Sequence, residues 1–212
     1  MADPELYIAV RDNEVEFVRE FLRWNHVDLE ETGGTPQQLH NFTPQYYTAL
    51  ELAVKVRRDP AMVKLLVEYG ADKDRLYNEE TLLHHVINIH NLPIARILLM
   101  YGANKEIKDY RGSTPLNLAV NIGNFQIATW LLECGANVNT TETENGYTPL
   151  IWAAFDGREE MLYLLCEFGA DLSIRDTRSD LKAEEWATLR GYHHIAQILI
   201  QMRHRRTNQH VG

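Results

Sequence analysis

The stretch Leu98-Leu99-Met100-Tyr101-Gly102-Ala103-Asn104 returns along the chain. It recurs as Leu65-Leu66-Val67-Glu68-Tyr69-Gly70-Ala71-Asp72, as Leu131-Leu132-Glu133-Cys134-Gly135-Ala136-Asn137 and as Leu164-Leu165-Cys166-Glu167-Phe168-Gly169-Ala170-Asp171. Successive glycines are 32, 33 and 34 residues apart. A fixed period in this range is the signature of a stacked-repeat solenoid. Each unit is too small to bury its own apolar face, so neighbours must stack into one continuous core. The expected fold is therefore an all-α repeat solenoid, which presents a long repeated surface and usually no deep catalytic cleft.

Working outward, the clearest unit spans residues 109–140. It opens Asp109-Tyr110-Arg111-Gly112-Ser113-Thr114-Pro115-Leu116. Gly112 suits a tight turn that needs positive φ. Thr114 is placed to cap a helix whose first residue is Pro115, where the missing N–H costs nothing. Leu116, Leu118, Ala119 and Val120 supply its apolar contacts, and Gly123-Asn124 interrupts the chain. Phe125, Ile127, Ala128, Leu131 and Leu132 then form the stripe of a second helix, which Gly135 ends as a left-handed residue. Thr48, Thr81 and Thr148 align with Thr114, and Leu50, Leu83 and Leu150 with Leu116; Leu82 takes the proline slot in the third unit.

The pattern resembles the ankyrin repeat. Gly112-Ser113-Thr114-Pro115-Leu116, Gly146-Tyr147-Thr148-Pro149-Leu150 and the four Leu-Leu to Gly-Ala endings carry the resemblance. It implies units of a β-hairpin and two antiparallel helices, stacked so that hairpin tips and first helices form a concave side. It also makes His84 a structural group of the Thr-Pro-Leu-His motif. Glu51, Asn117 and Ile151 depart from that histidine.

About six units are expected, the outermost two degenerate because their outer faces meet water. Residues 1–30 read as an N-terminal capping repeat, with Asn25 standing in for the terminal glycine. Residues 31–45 hold Gly33-Gly34, Pro36 and Pro44 and read as an extended loop insertion. Residues 46–173 form four inner repeats, 174–202 a C-terminal capping repeat, and 203–212 a basic flexible tail that includes Arg203, Arg205 and Arg206.

The 21 basic and 30 acidic residues leave a formal net charge of −9. Nucleic acid is not expected as a partner, because phosphate contacts need a basic face. Residues 1–50 hold nine acids and three bases, so a partner with a basic surface is plausible. No apolar run approaches the length of a membrane span. Cys134 and Cys166 occupy different repeat positions and should not pair, which fits a reducing compartment. The expected location is cytoplasmic or nuclear; the alternative is an exported effector acting inside a host cell. The free chain is expected to be a monomer.

No nucleophile motif, phosphate loop or zinc spacing occurs, so the chain is read as non-enzymatic, with no cofactor and no metal. Glu159-Glu160 and Glu184-Glu185 are placed to favour helix dipoles. His84-His85 and His193-His194 read as structural or surface groups.

The expected function is a scaffold that binds and regulates or sequesters a partner protein. A targeting adaptor or a microbial or viral effector is the alternative. Tyrosine gives large contact area at small entropic cost. The candidate contacts are therefore Tyr46, Tyr47, Tyr77, Asn78, Glu80, Tyr110, Arg111, Ser113, Asn145 and Tyr147 in the hairpins, with Phe155 at a first-helix end. Hairpin side chains are expected to point away from the helical core. Asn139 is similar to the asparagines that hydroxylases modify in ankyrin repeats.

Overall fold

The computed structural model describes residues 4–24, 29 and 47–209. Among them are twelve α-helices and a π-helical segment; extended pairing is limited to single-residue bridges at Tyr47, Tyr77 and Glu80. The hairpins are thus tight hydrogen-bonded turns rather than strands of regular length. The loop at residues 31–45, Asn25 and Tyr46 lie outside the described residues.

The chain divides into two compact units. The first takes residues 1–77 and 81–104. It contains α1 (Pro4–Asp12), α2 (Val15–Trp24), α3 (Ala49–Glu51) running on into a π-helical segment (Leu52–Arg57), α4 (Pro60–Glu68), α5 (Leu82–Asn88) and α6 (Leu92–Met100). The second takes residues 105–212 with 78–80. It contains α7 (Pro115–Asn121), α8 (Phe125–Glu133), α9 (Pro149–Phe155), α10 (Glu159–Glu167), α11 (Ala183–Leu189) and α12 (His193–Gln209).

Helices form consecutive pairs, α5 with α6, α7 with α8, α9 with α10 and α11 with α12. Within the second unit α7 packs on α9 and α9 on α11, so first helices make a continuous layer. On these helices Ala119, Ala153, Ala187 and Leu116 are fully buried, as are Ile127 and Leu131 on α8 and Leu162 and Leu165 on α10.

The caps follow from the sequence. The hydroxyls of Thr48, Thr81, Thr114 and Thr148 accept from the backbone N–H three residues on. His84 Nδ1 lies 2.8 Å from Thr81 Oγ1, and the fully buried imidazole closes that cap. In the preceding unit Glu51 takes the same place, its carboxylate accepting from Thr48 N at 3.1 Å and pairing with Lys55 at 3.2 Å. At the end of α8 Gly135 takes φ 80°; its N–H donates to Leu132 O, and Ala136 N–H to Leu131 O, both at 2.9 Å. This closing motif satisfies carbonyls the helix leaves open.

The π-helical segment has a simple cause. The caps of the two helices in a unit are ten positions apart at Thr81 and Asn91, Thr114 and Asn124, and Thr148 and Arg158. From Thr48 to Asp59 the separation is eleven. One extra residue is absorbed by widening the first helix, which ends at a left-handed Arg58 (φ 54°).

Neighbouring repeats are also tied by polar bonds to backbone. Asp74 Oδ1 accepts from Asn104 N at 2.8 Å, Glu106 Oε1 from Asn137 N at 2.9 Å and Asn139 Oδ1 from Asp171 N at 2.8 Å. α12 runs on to Gln209, into the stretch of residues 203–212 expected as a basic tail. Arg203 anchors that helix by a 2.6 Å ion pair to Glu184, a buried carboxylate.

Candidate partner-binding surface

The hairpins of the second unit are built on carboxylates. Asp109 Oδ1 accepts from Arg111 N at 3.0 Å and Ser113 N at 2.9 Å, while Asp109 N donates to Ser113 O at 2.9 Å. This internal bonding fixes the loop, and it leaves Tyr110 at the tip 58% exposed. The Arg111 guanidinium lies 5.1 Å from the Tyr110 ring centroid. Both line a shallow recess with Lys108, Thr143 and Glu144.

Gly112 lets this hairpin stack on the next. It takes φ 73°, and a Cβ there would lie 2.1 Å from Thr143 Oγ1 and 2.8 Å from Thr143 N. Gly146 meets Thr177 in the same way in the following repeat. Gly112 and Gly146 thus let successive hairpins stack closely on one another.

In the next hairpin Glu142 N donates to Tyr147 O at 3.1 Å. The buried Glu142 carboxylate accepts from Asn145 Nδ2 at 3.1 Å and Trp152 Nε1 at 3.3 Å. One repeat on, Asp176 accepts from the backbone N–H of Arg178, Ser179 and Leu181 and from Trp186 Nε1 at 2.8 Å. Burial opposes ionisation of Asp176. The donors of Ser179, Trp186, Leu181 and Arg178 outweigh it and hold the carboxyl below its ordinary range.

Above these carboxylates sits an aromatic cluster. The Tyr147 ring centroid is 5.1 Å from Trp152, 6.1 Å from Phe155 and 5.5 Å from Trp186; Phe155 lies 5.2 Å from Trp186. Tyr147 is only 7% exposed, which corrects its reading as an outward contact. The tryptophans of two successive first helices draw its ring inward. Ser113 is also buried, and its backbone serves the Asp109 turn. Asn145 is occupied too: its side chain bonds Glu142 and Arg178, and its carbonyl accepts from Thr177 N.

Of the other candidates, Arg111 and Asn78 are exposed, and Glu80 and Phe155 are half-buried. Asn78 adopts φ 51° in its turn. In the first unit Tyr47 and Tyr77 are half-buried. Burial and then the Glu51 charge hold the Tyr47 phenol above its ordinary range. Tyr77 Oη lies 3.0 Å from Thr48 Oγ1, and the Lys55 ammonium lies 5.1 Å from the Tyr77 ring centroid. Asn139 is half-buried on the inter-repeat ladder. The structure thus brings Tyr147 and Phe155 together, and it leaves Tyr110 with Arg111 as a separate exposed pair.

Sequence reasoning places Trp152 and Trp186 in the core or groove but missed their carboxylate partners, and it missed Arg190. A signal existed: each tryptophan stands ten residues after a hairpin carboxylate, Glu142 or Asp176. Among the described residues there is no group of three or more His, Cys, Asp or Glu suited to a metal, and no helix long and apolar enough to cross a membrane. Neither Cys134 nor Cys166 forms a disulfide.

Two family models match, described as ankyrin repeats (3 copies) over residues 50–142 and ankyrin repeats (many copies) over residues 123–166. No curated protein matches the chain. An ankyrin repeat domain from Acinetobacter baumannii is similar in structure, with a TM-score of 0.77 and 22% identity; the match covers 93% of this chain and 97% of that one. Ankyrin repeats are generally protein–protein interaction modules. With matching models over more than half its length and the fold to go with them, the chain belongs to the ankyrin repeat family.

Proposed function

We propose that this chain is a non-catalytic scaffold that binds a partner protein along its hairpins and first helices and so sequesters or regulates it. The observation that carries the reading is Tyr110. A large ring is 58% exposed on a turn whose backbone is already locked by Asp109 and whose flank is braced by Thr143. An aromatic anchor on a rigid support loses little order on binding. Arg111 beside it adds a planar donor, and Lys108 and Glu144 offer charges that fix orientation. The net charge of −9 favours a partner with a basic surface. Two cysteines that form no disulfide fit action in a reducing, cytoplasmic compartment.

Affinity capture with the wild type beside a Tyr110→Ser/Arg111→Ser variant tests this. Both side chains are exposed, so the variant should fold normally. One stoichiometric partner that the variant loses is the expected result. Equal recovery of the same proteins by both forms would refute the hairpin surface as the docking site.

A further inference from the structure

The aromatic cluster of α9 and α11 already holds a cation. The guanidinium carbon of Arg190 lies 4.3 Å from the Phe155 ring centroid, and its Nε donates to Phe155 O at 3.3 Å. Arg190 is itself exposed, and Trp152 and Phe155 are only half-buried, so ring surface remains open beside it.

Two further features suit the cluster to positive charge. Trp152 and Trp186 both donate their indole N–H to buried carboxylates, Glu142 and Asp176. A carboxylate on an indole N–H pushes electron density into the ring and strengthens the negative face that attracts cations. The field at the centre is negative as well. The Tyr147 phenol is held above its ordinary range by burial first, then by the charges of Asp176 and Glu142, with Arg178 opposing.

We propose that this cluster receives an arginine side chain of the bound protein, which takes the place of Arg190 over Phe155. Arg190 is then an internal stand-in that keeps the rings covered when no partner is bound. A guanidinium is favoured over an ammonium because it is planar, stacks on rings and is less strongly hydrated. The inference rests on the reading of the chain as a protein-binding array, and it adds the chemistry of one contact.

The test uses the full chain and a short acetylated, amidated Gly-Ser peptide with one central arginine. Its counterpart carries citrulline, of the same shape without the charge. Both are titrated at millimolar concentration and constant ionic strength, while the indole N–H resonances of all four tryptophans are followed by NMR. Saturable shifts at Trp152 and Trp186 with the arginine peptide alone are expected. Arg190→Gln should tighten binding about 2- to 5-fold by removing the internal competitor. Phe155→Leu, which keeps apolar volume without a ring, should weaken it, with a thermal melt confirming the fold. The proposal is overturned by absent shifts, by equal shifts with citrulline, by shifts confined to Trp24 and Trp130, or by Arg190→Gln leaving affinity unchanged. Loss of this contact with Tyr110-dependent capture intact would overturn the arginine site and leave the broader function standing.

Discussion

Trp186 Nε1 donates to the Asp176 carboxylate at 2.8 Å, tying the first helix of the last pair to the hairpin that precedes it. The same carboxylate caps three backbone N–H groups, so one buried charge organises both loop and helix. Its folded-state pKa lies below the unfolded value of about 4. The contribution of Asp176 is therefore fully present above that pH and is lost as pH falls through the folded value. Asp176→Asn is expected to lower stability by about 1.5–3 kcal/mol at neutral pH. Urea unfolding across pH should show that gap narrowing below about pH 4; a gap independent of pH would contradict the assignment.

Tyr110 and Tyr147 occupy nearby hairpin positions but should behave oppositely. Tyr110→Ser removes an exposed ring and should change stability by less than about 0.5 kcal/mol. Tyr147→Ser empties the centre of the aromatic cluster and should cost about 3–5 kcal/mol, the range for large buried aromatics. Chemical denaturation of the two variants side by side checks this; equal losses would mean that Tyr147 does not serve the core.

The glycines should separate by their surroundings. Gly135→Ala places a methyl in open space, so only the left-handed backbone is penalised, at about 1 kcal/mol. Gly112→Ala adds a collision with the Thr143 backbone and should cost more, about 2–3 kcal/mol. Melting temperatures in that order are expected, and the reverse order would refute hairpin stacking through Gly112.

Asn117 sits fully buried at the position that His84 holds one unit earlier, and its amide makes no hydrogen bond among the described residues. Asn117→His should recreate the bond His84 makes to its capping threonine, here Thr114, and raise stability by about 1 kcal/mol. A loss in urea unfolding would show that the pocket does not admit an imidazole.

Much of the fold was legible because local chemistry repeats. Thr114-Pro115 begins a helix and Gly135 ends one for reasons contained in a few residues. The π-helical segment was legible only by counting, since it comes from one extra residue between Thr48 and Asp59. Tyr147 was misread because its direction is set by Trp152 and by Trp186, thirty-nine positions on, and no local rule joins them. Arg190 was missed for the same reason: its partner, Phe155, lies one repeat back.

Site-specific photocrosslinking tests the docking surface most directly. A benzophenone side chain replaces Tyr110 on the hairpin or, as control, Tyr163, which is 44% exposed on the second helix α10. In a cell extract the Tyr110 probe should capture one protein in near-stoichiometric amount, and the Tyr163 probe should not. Equal crosslinking from both positions, or capture from Tyr163 alone, would contradict binding through the hairpin face.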